Sequence, residues 1–157
     1  MFLHDVFPPE FIKVDMEAED KDEAFEELVN HFCHVSKLNA GKDILSALTE
    51  REAKMSTGIQ KGIAVPHGNT NAVNTVCGAL GISRGGIDYD ALDGEPVYLL
   101  FMIIAPPKDT ETHLRILKLL TELLENPQFY IDLQSQKEPQ GAYKVICKYE
   151  DLLIALE

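Results

Sequence analysis

The chain has 157 residues, 45% of them hydrophobic and 25% charged, which suits one compact domain that buries its own core without disulfide or metal staples. A formal net charge of −12 repels phosphate backbones and argues against a nucleic-acid partner. No apolar run reaches bilayer-spanning length and no secretory stretch opens the chain, so no membrane insertion is expected.

Residues 1–19 mix apolar and polar positions and read as an extended lead-in with one strand. Asp20, with Glu23 three residues on, has the pattern of a helix N-cap. Phe25, Leu28, Val29 and Phe32 recur at helical spacing and predict a helix over 21–37. His31 and His34 flank Cys33 off that apolar face. They could share a metal, but no further ligand is in view, and we read them as solvent-facing. Cys33, Cys77 and Cys147 lack the spacing of a disulfide framework and read as reduced core thiols of a cytoplasmic protein.

Gly41 breaks the pattern, and Ile44, Leu45 and Leu48 predict a second helix over 42–54. Residues 56–68 read as a glycine-rich loop, a brief strand at Ile63–Val65, and a sharp exit at Pro66. Strands are expected over 76–82 and 97–105, the second of them central and buried, with Asp93-Gly94 as a turn before it. Asp109 and Thr110 can cap a helix to about 125 with Leu114, Leu117, Leu120 and Leu124 inward, stopped by Asn126-Pro127. A short helix near 128–135 and a last one near 149–156 finish the chain, with 143–147 unassigned. Strands interleaved with helices, two of them neighbours joined by a turn, imply an α/β fold. We expect residues 1–157 to form a single domain, a mixed β-sheet covered by helices on both faces.

The common catalytic motifs are missing: no GxxxxGK[ST] loop, no GxSxG elbow, no HExxH, no paired CxxC. Histidine is what remains to examine. His67, in Ala64-Val65-Pro66-His67-Gly68, lies just past a short strand, where sheet ends commonly present functional groups. A neutral imidazole there is a competent nucleophile, and Gly68 leaves space beside the ring for a bulky group or for backbone amides. The spacing alone equally suits a histidine that ends a strand and bonds the loop. His113 falls in the first turn of the helix from Asp109, where free N–H groups favour an anion and disfavour imidazolium; an exposed helix-start histidine has the same pattern. Arg51, ending the second helix, could clamp phosphoryl oxygens or simply complement the helix dipole.

The stretch Arg51-Glu52-Ala53-Lys54-Met55-Ser56-Thr57-Gly58-Ile59-Gln60-Lys61-Gly62-Ile63-Ala64-Val65-Pro66-His67-Gly68 resembles the active-site signature of IIA domains of the fructose–mannitol class. These belong to the bacterial phosphoenolpyruvate phosphotransferase system and include the nitrogen-regulatory IIA proteins. Ile87–Val97 and Thr112-His113-Leu114 resemble later segments of the same family, in the same order. The resemblance implies a phosphotransferase that carries the phosphoryl group on His67, assisted by His113 and Arg51, with Gly68 and Thr57 supporting. It implies no metal and no cofactor. The donor would be a histidine phosphocarrier protein. The acceptor would be a IIB domain in sugar transport, or, in the nitrogen-regulatory branch, a regulatory target protein; the stand-alone chain inclines us to the regulatory branch. Two positions depart from the family pattern: Gln60 stands where a glycine is frequent, and Asn69 where a basic residue commonly follows.

Overall fold

The central element is β6, Val97–Ala105, nine residues with only Tyr98 partly exposed. From Leu99 onward its side chains alternate between two apolar clusters, as period-2 geometry requires. Leu99, Phe101, Ile103 and Ala105 enter one cluster; Leu100, Met102 and Ile104 enter the other. A strand buried on both faces reads as a continuous apolar run, and its expected bounds match those found. This computed structural model describes residues 1–156, and the side chain of Gln60 lies outside the described part.

The other elements are α1 (Leu3–Val6), a 3₁₀ turn at Pro9–Phe11, β1 (Ile12–Lys13), α2 (Lys21–Ser36), α3 (Gly41–Glu52), β2 (Gly58–Gln60), β3 (Ile63–Ala64) and β4 (His67–Asn69). They continue with β5 (Cys77–Ile87), which precedes β6, and then α4 (Thr110–Leu124), α5 (Pro127–Gln134) and α6 (Pro139–Ala155). The sheet runs β1-β5-β6-β3-β2, and β4 also pairs with β6. β5 and β6 are antiparallel neighbours, whereas β3 and β4 both run parallel to β6. The sheet is therefore mixed, as expected. Its two faces are covered separately. α2 and α3 supply Phe25, Leu28, Phe32, Ile44 and Leu48 to one cluster; α1, α4, α5 and α6 supply Leu3, Ile116, Leu120, Phe129 and Ile146 to the other.

Several segments differ from expectation. The 56–68 stretch holds three short strands instead of one. β3 and β4 flank Val65-Pro66 yet keep one register on β6, Ile63 opposite Leu99 and His67 opposite Ile103. Proline has no N–H to give the ladder, but Pro66 still accepts from the Ile103 N–H at 3.0 Å. The lead-in carries α1, too short for periodicity to reveal. The carboxylate of Glu150, fully buried on α6, accepts from the Leu3 and His4 N–H groups at its start. α6 is much longer than 149–156, because Pro139 fits a helix's first turn and Ala142, Ile146 and Tyr149 keep helical spacing. The strand expected over 76–82 runs to Ile87, with a register irregularity after Ile82. On α4 the inward stripe is His113, Ile116, Leu120 and Leu123, while Leu114 faces out at 61% exposure.

Gly68 also differs in its reason. A Cβ built there would lie 2.9 Å from the Ala47 carbonyl carbon and oxygen. The missing side chain thus lets α3 lie directly on β4, rather than clearing space beside His67. Gly68→Ala is expected to cost about 1–3 kcal/mol in urea unfolding, the usual range for overpacking. Gly85→Ala, where an added methyl meets nothing within 4 Å, stays within about 0.5 kcal/mol. Equal losses at both positions would contradict the close approach.

Candidate functional site

Strand β4 places His67 opposite Ile103. Paired residues of parallel strands share a face, so His67 points to the α4 side and Gly68 to the α3 side. The chain leaves β6 through Pro106-Pro107 and enters α4 at the same end of the sheet. Asp109 caps that helix by accepting from the Thr112 N–H at 3.1 Å. His113, in the first turn, then meets His67 edge-on, with ring centroids 5.7 Å apart and planes at 75°. From the other face α3 ends at Arg51 and Glu52. Arg51, Lys54, His67, Asn69, His113 and Leu114 line one cleft of about 350 Å³.

The His67 ring is oriented by one hydrogen bond, Nδ1 to the Val65 carbonyl at 2.8 Å. A carbonyl only accepts, so Nδ1 carries the proton and Nε2 of the neutral ring holds a free lone pair. Burial holds the His67 pKa below the usual histidine value; the Val65 carbonyl opposes this, the Arg51 charge adds to it and Glu52 opposes it. Burial also lowers the His113 pKa, with His67 adding to the effect. His113 is 7% exposed, and its Nε2 is buried with no partner among the described residues. A buried polar atom of that kind costs free energy unless something pairs with it. Arg51 donates from Nη1 to the Met55 carbonyl at 2.9 Å, leaving its other N–H donors for a ligand. A histidine with a free Nε2 lone pair, a second, mostly buried histidine and a guanidinium thus line one cleft.

The sequence-derived residues divide clearly. His67, His113, Arg51 and Gly68 come together at the cleft. Thr57 does not line it. The residue is 3% exposed, and its hydroxyl donates to Glu52 at 2.6 Å and lies 2.7 Å from the Tyr89 hydroxyl. Asn69 lines the cleft with an exposed side chain. Lys54 lines it too and was not singled out; its signal was its place one turn beyond Arg51. Glu52 was also missed. It continues the Ile44–Leu48 stripe of α3, and a carboxylate on an apolar stripe calls for partners.

A wider depression of about 600 Å³ near Lys13, Glu27, His31 and His34 lies away from this chemistry. Two of its polar side chains are engaged: Glu27 accepts from the Glu17 and Ala18 N–H groups, and His31 Nε2 lies 3.0 Å from the Glu10 carbonyl. His34 is exposed, but His31 is half-buried rather than free in solvent. Among the described residues no three His, Cys, Asp or Glu side chains converge as metal ligands. The cysteines are unpaired and half-buried, and burial pushes the Cys77 thiol up to about 11.

Residues 5–149 match the model of the phosphoenolpyruvate-dependent sugar phosphotransferase system family EIIA 2. A fructose-specific EIIA component of Haloferax volcanii is 37% identical over 143 residues, 91% of this chain and 93% of that protein. The fructose-specific EIIABC component of Bacillus subtilis is 34% identical over 139 residues, but the 88% of this chain that aligns spans only 22% of that longer protein. Among solved structures, nitrogen regulatory protein IIA-Ntr of Neisseria meningitidis superposes with a TM-score of 0.84 at 29% identity, covering 92% of this chain and 98% of that one.

NMR titration of the ring protons tests the electrostatics. Both His67 and His113 are expected to titrate below the ordinary histidine value of about 6.5. Arg51→Met should raise the His67 midpoint, because it removes a cation that disfavours imidazolium. A wild-type His67 midpoint above 6.5 would contradict this placement.

Proposed function

The chain belongs to the EIIA 2 family of the phosphoenolpyruvate-dependent sugar phosphotransferase system, and on that premise we propose that it is a phosphocarrier that takes a phosphoryl group onto His67 Nε2 from a histidine phosphocarrier protein. The observation that carries the reading is the single hydrogen bond from His67 Nδ1 to the Val65 carbonyl, in a cleft shared with His113 and Arg51. Nε2 attacks phosphorus in line with the donor's N–P bond. That bond breaks, its electron pair returns to the donor ring nitrogen, and a new N–P bond forms on His67. The proton stays on Nδ1, donated to the Val65 carbonyl throughout, so no separate base is needed.

Phosphoryl transfer asks mainly for positioning and charge neutralisation. Arg51 donates to the phosphoryl oxygens with the N–H groups that Met55 does not use. His113, kept neutral by burial, donates from its buried nitrogen. Lys54 adds a second cation at the rim. Because one phosphoramidate replaces another, the transfer is readily reversible and needs no metal.

The downstream role divides in two. We favour a signalling component like the nitrogen-regulatory IIA proteins, supported by likeness to the Neisseria protein over almost its full length. There, phosphorylation adds nearly two negative charges beside Leu114 and switches binding to a regulatory target. The 37% identity to a fructose-specific component supports the second reading, delivery to a fructose- or mannitol-type IIB domain for sugar uptake. Either role places the protein in the cytoplasm, in keeping with the finding that no helix among the described residues is long and apolar enough to cross a membrane. Capture from extract separates the two: a IIB domain as chief partner supports uptake, and a kinase, channel or transcriptional regulator supports signalling.

Incubation with labelled phosphorylated donor carrier is expected to give acid-labile, base-stable label on the wild type and none on His67→Ala. Arg51→Met and His113→Ala should each slow transfer by about 10²–10³-fold, the usual loss of one charge-stabilising donor. Equal labelling of wild type and His67→Ala would move the phosphoryl group elsewhere and overturn the assignment.

A further inference from the structure

Glu52 ends α3 beside Arg51 but does not line the cleft. Its carboxylate is 6% exposed and every acceptor position is used. One oxygen accepts from the Thr57 N–H at 2.7 Å and pairs with the Lys21 ammonium at 3.0 Å. The other accepts from the Thr57 hydroxyl at 2.6 Å and lies 3.2 Å from the Tyr89 hydroxyl. Lys21 also sits 4.7 Å from the centre of the Tyr89 ring. Burial pushes the Glu52 carboxyl pKa up, but the two Thr57 hydrogen bonds and Lys21 outweigh it and hold the group ionised. Such a fully satisfied buried network is rigid.

Two bonded paths lead from this carboxylate to the cleft. In the first, Thr57, clamped through its N–H and hydroxyl, accepts the Val65 N–H on its carbonyl at 3.0 Å. Val65 in turn accepts His67 Nδ1 at 2.8 Å. In the second, the turn that Glu52 closes onto Thr57 contains Met55, whose carbonyl holds Arg51 at 2.9 Å. One anion therefore braces both the acceptor that orients the nucleophile and the acceptor that orients the guanidinium.

Resting on the phosphocarrier reading, we infer that Glu52, with Thr57 as its clamp and Lys21 and Tyr89 as its partners, is a positioning residue for phosphoryl transfer. It holds His67 in the Nδ1-protonated tautomer and keeps Arg51 over the same space, without touching the phosphoryl group. This gives Thr57 a different part from direct contact with phosphate. Its place in the signature follows from the carboxylate it clamps.

Glu52→Gln is the primary test. The amide keeps the volume, but one of its ends now offers N–H donors to groups that are themselves donors. Transfer from the phosphorylated donor carrier should slow by about tenfold or more, through the rate at saturating donor rather than the half-saturating concentration. In nitrogen-15 spectra of the unphosphorylated protein, His67 should lose its preference for a protonated Nδ1. Thr57→Val, which keeps the N–H but removes the hydroxyl, should move both readouts the same way and carries the test if Glu52→Gln does not fold. A wild-type rate and wild-type His67 spectrum in a folded Glu52→Gln or Thr57→Val protein would overturn the inference while leaving the phosphocarrier reading intact. An unlabelled wild type would overturn that reading instead, and the spectra, which need no donor, would still decide the part played by Glu52.

Discussion

The architecture of the site rests on a strand that continues across a proline. β3 and β4 keep one register on β6 although Val65-Pro66 interrupts them. The interruption releases the Val65 carbonyl from the ladder, and that carbonyl accepts a hydrogen bond from His67 Nδ1. The preserved register sets His67 on the face where α4 begins. A regular strand would have spent Val65 on its neighbour, and a complete break would have left His67 on a loose loop. The same segment lies under α3 through Gly68, where the helix backbone comes too close for any side chain.

Charge explains the remainder. A chain of net charge −12 must make a local exception to receive a phosphoryl dianion. In the role we propose, Arg51 and Lys54 by the end of α3 make it, joined by a neutral His113 in the first turn of α4. Two half-buried or buried imidazoles in contact cannot both be protonated at low cost, and burial keeps both below their ordinary range. In the role we propose, His67 is thus an uncharged nucleophile at neutral pH, and the buried nitrogen of His113 is a donor for the phosphoryl group. Glu52 moderates the cationic side from within the protein, held by Lys21 and Thr57.

Much of this was legible before the fold was known, and the misses have physical causes. β6 declared itself because a strand buried on both faces is an uninterrupted apolar run. α2 did so through its cap and its helical spacing. His67, His113 and Arg51 stood out only once the motif joined them, since each alone has an ordinary structural reading. α1 escaped because four residues hold too little periodicity, and its anchor, Glu150, lies at the far end of the chain. The first half of α6 escaped because Pro139 and Gly141 look like breakers, although proline is at home in a first turn. The leucines of α4 suggest an inward stripe of their own that includes Leu114, whereas the inward stripe passes through His113. Glu52 hid behind its neighbour Arg51, as a carboxylate whose partners come from three separate segments.

The most direct test of the account is a nitrogen-15 spectrum, with phosphorus coupling, of histidine-labelled protein phosphorylated by its donor carrier. The account predicts phosphorus bonded to Nε2 of His67, with the Nδ1 proton retained and bound to the Val65 carbonyl. Phosphorus on Nδ1 of His67, or on His113, would contradict it.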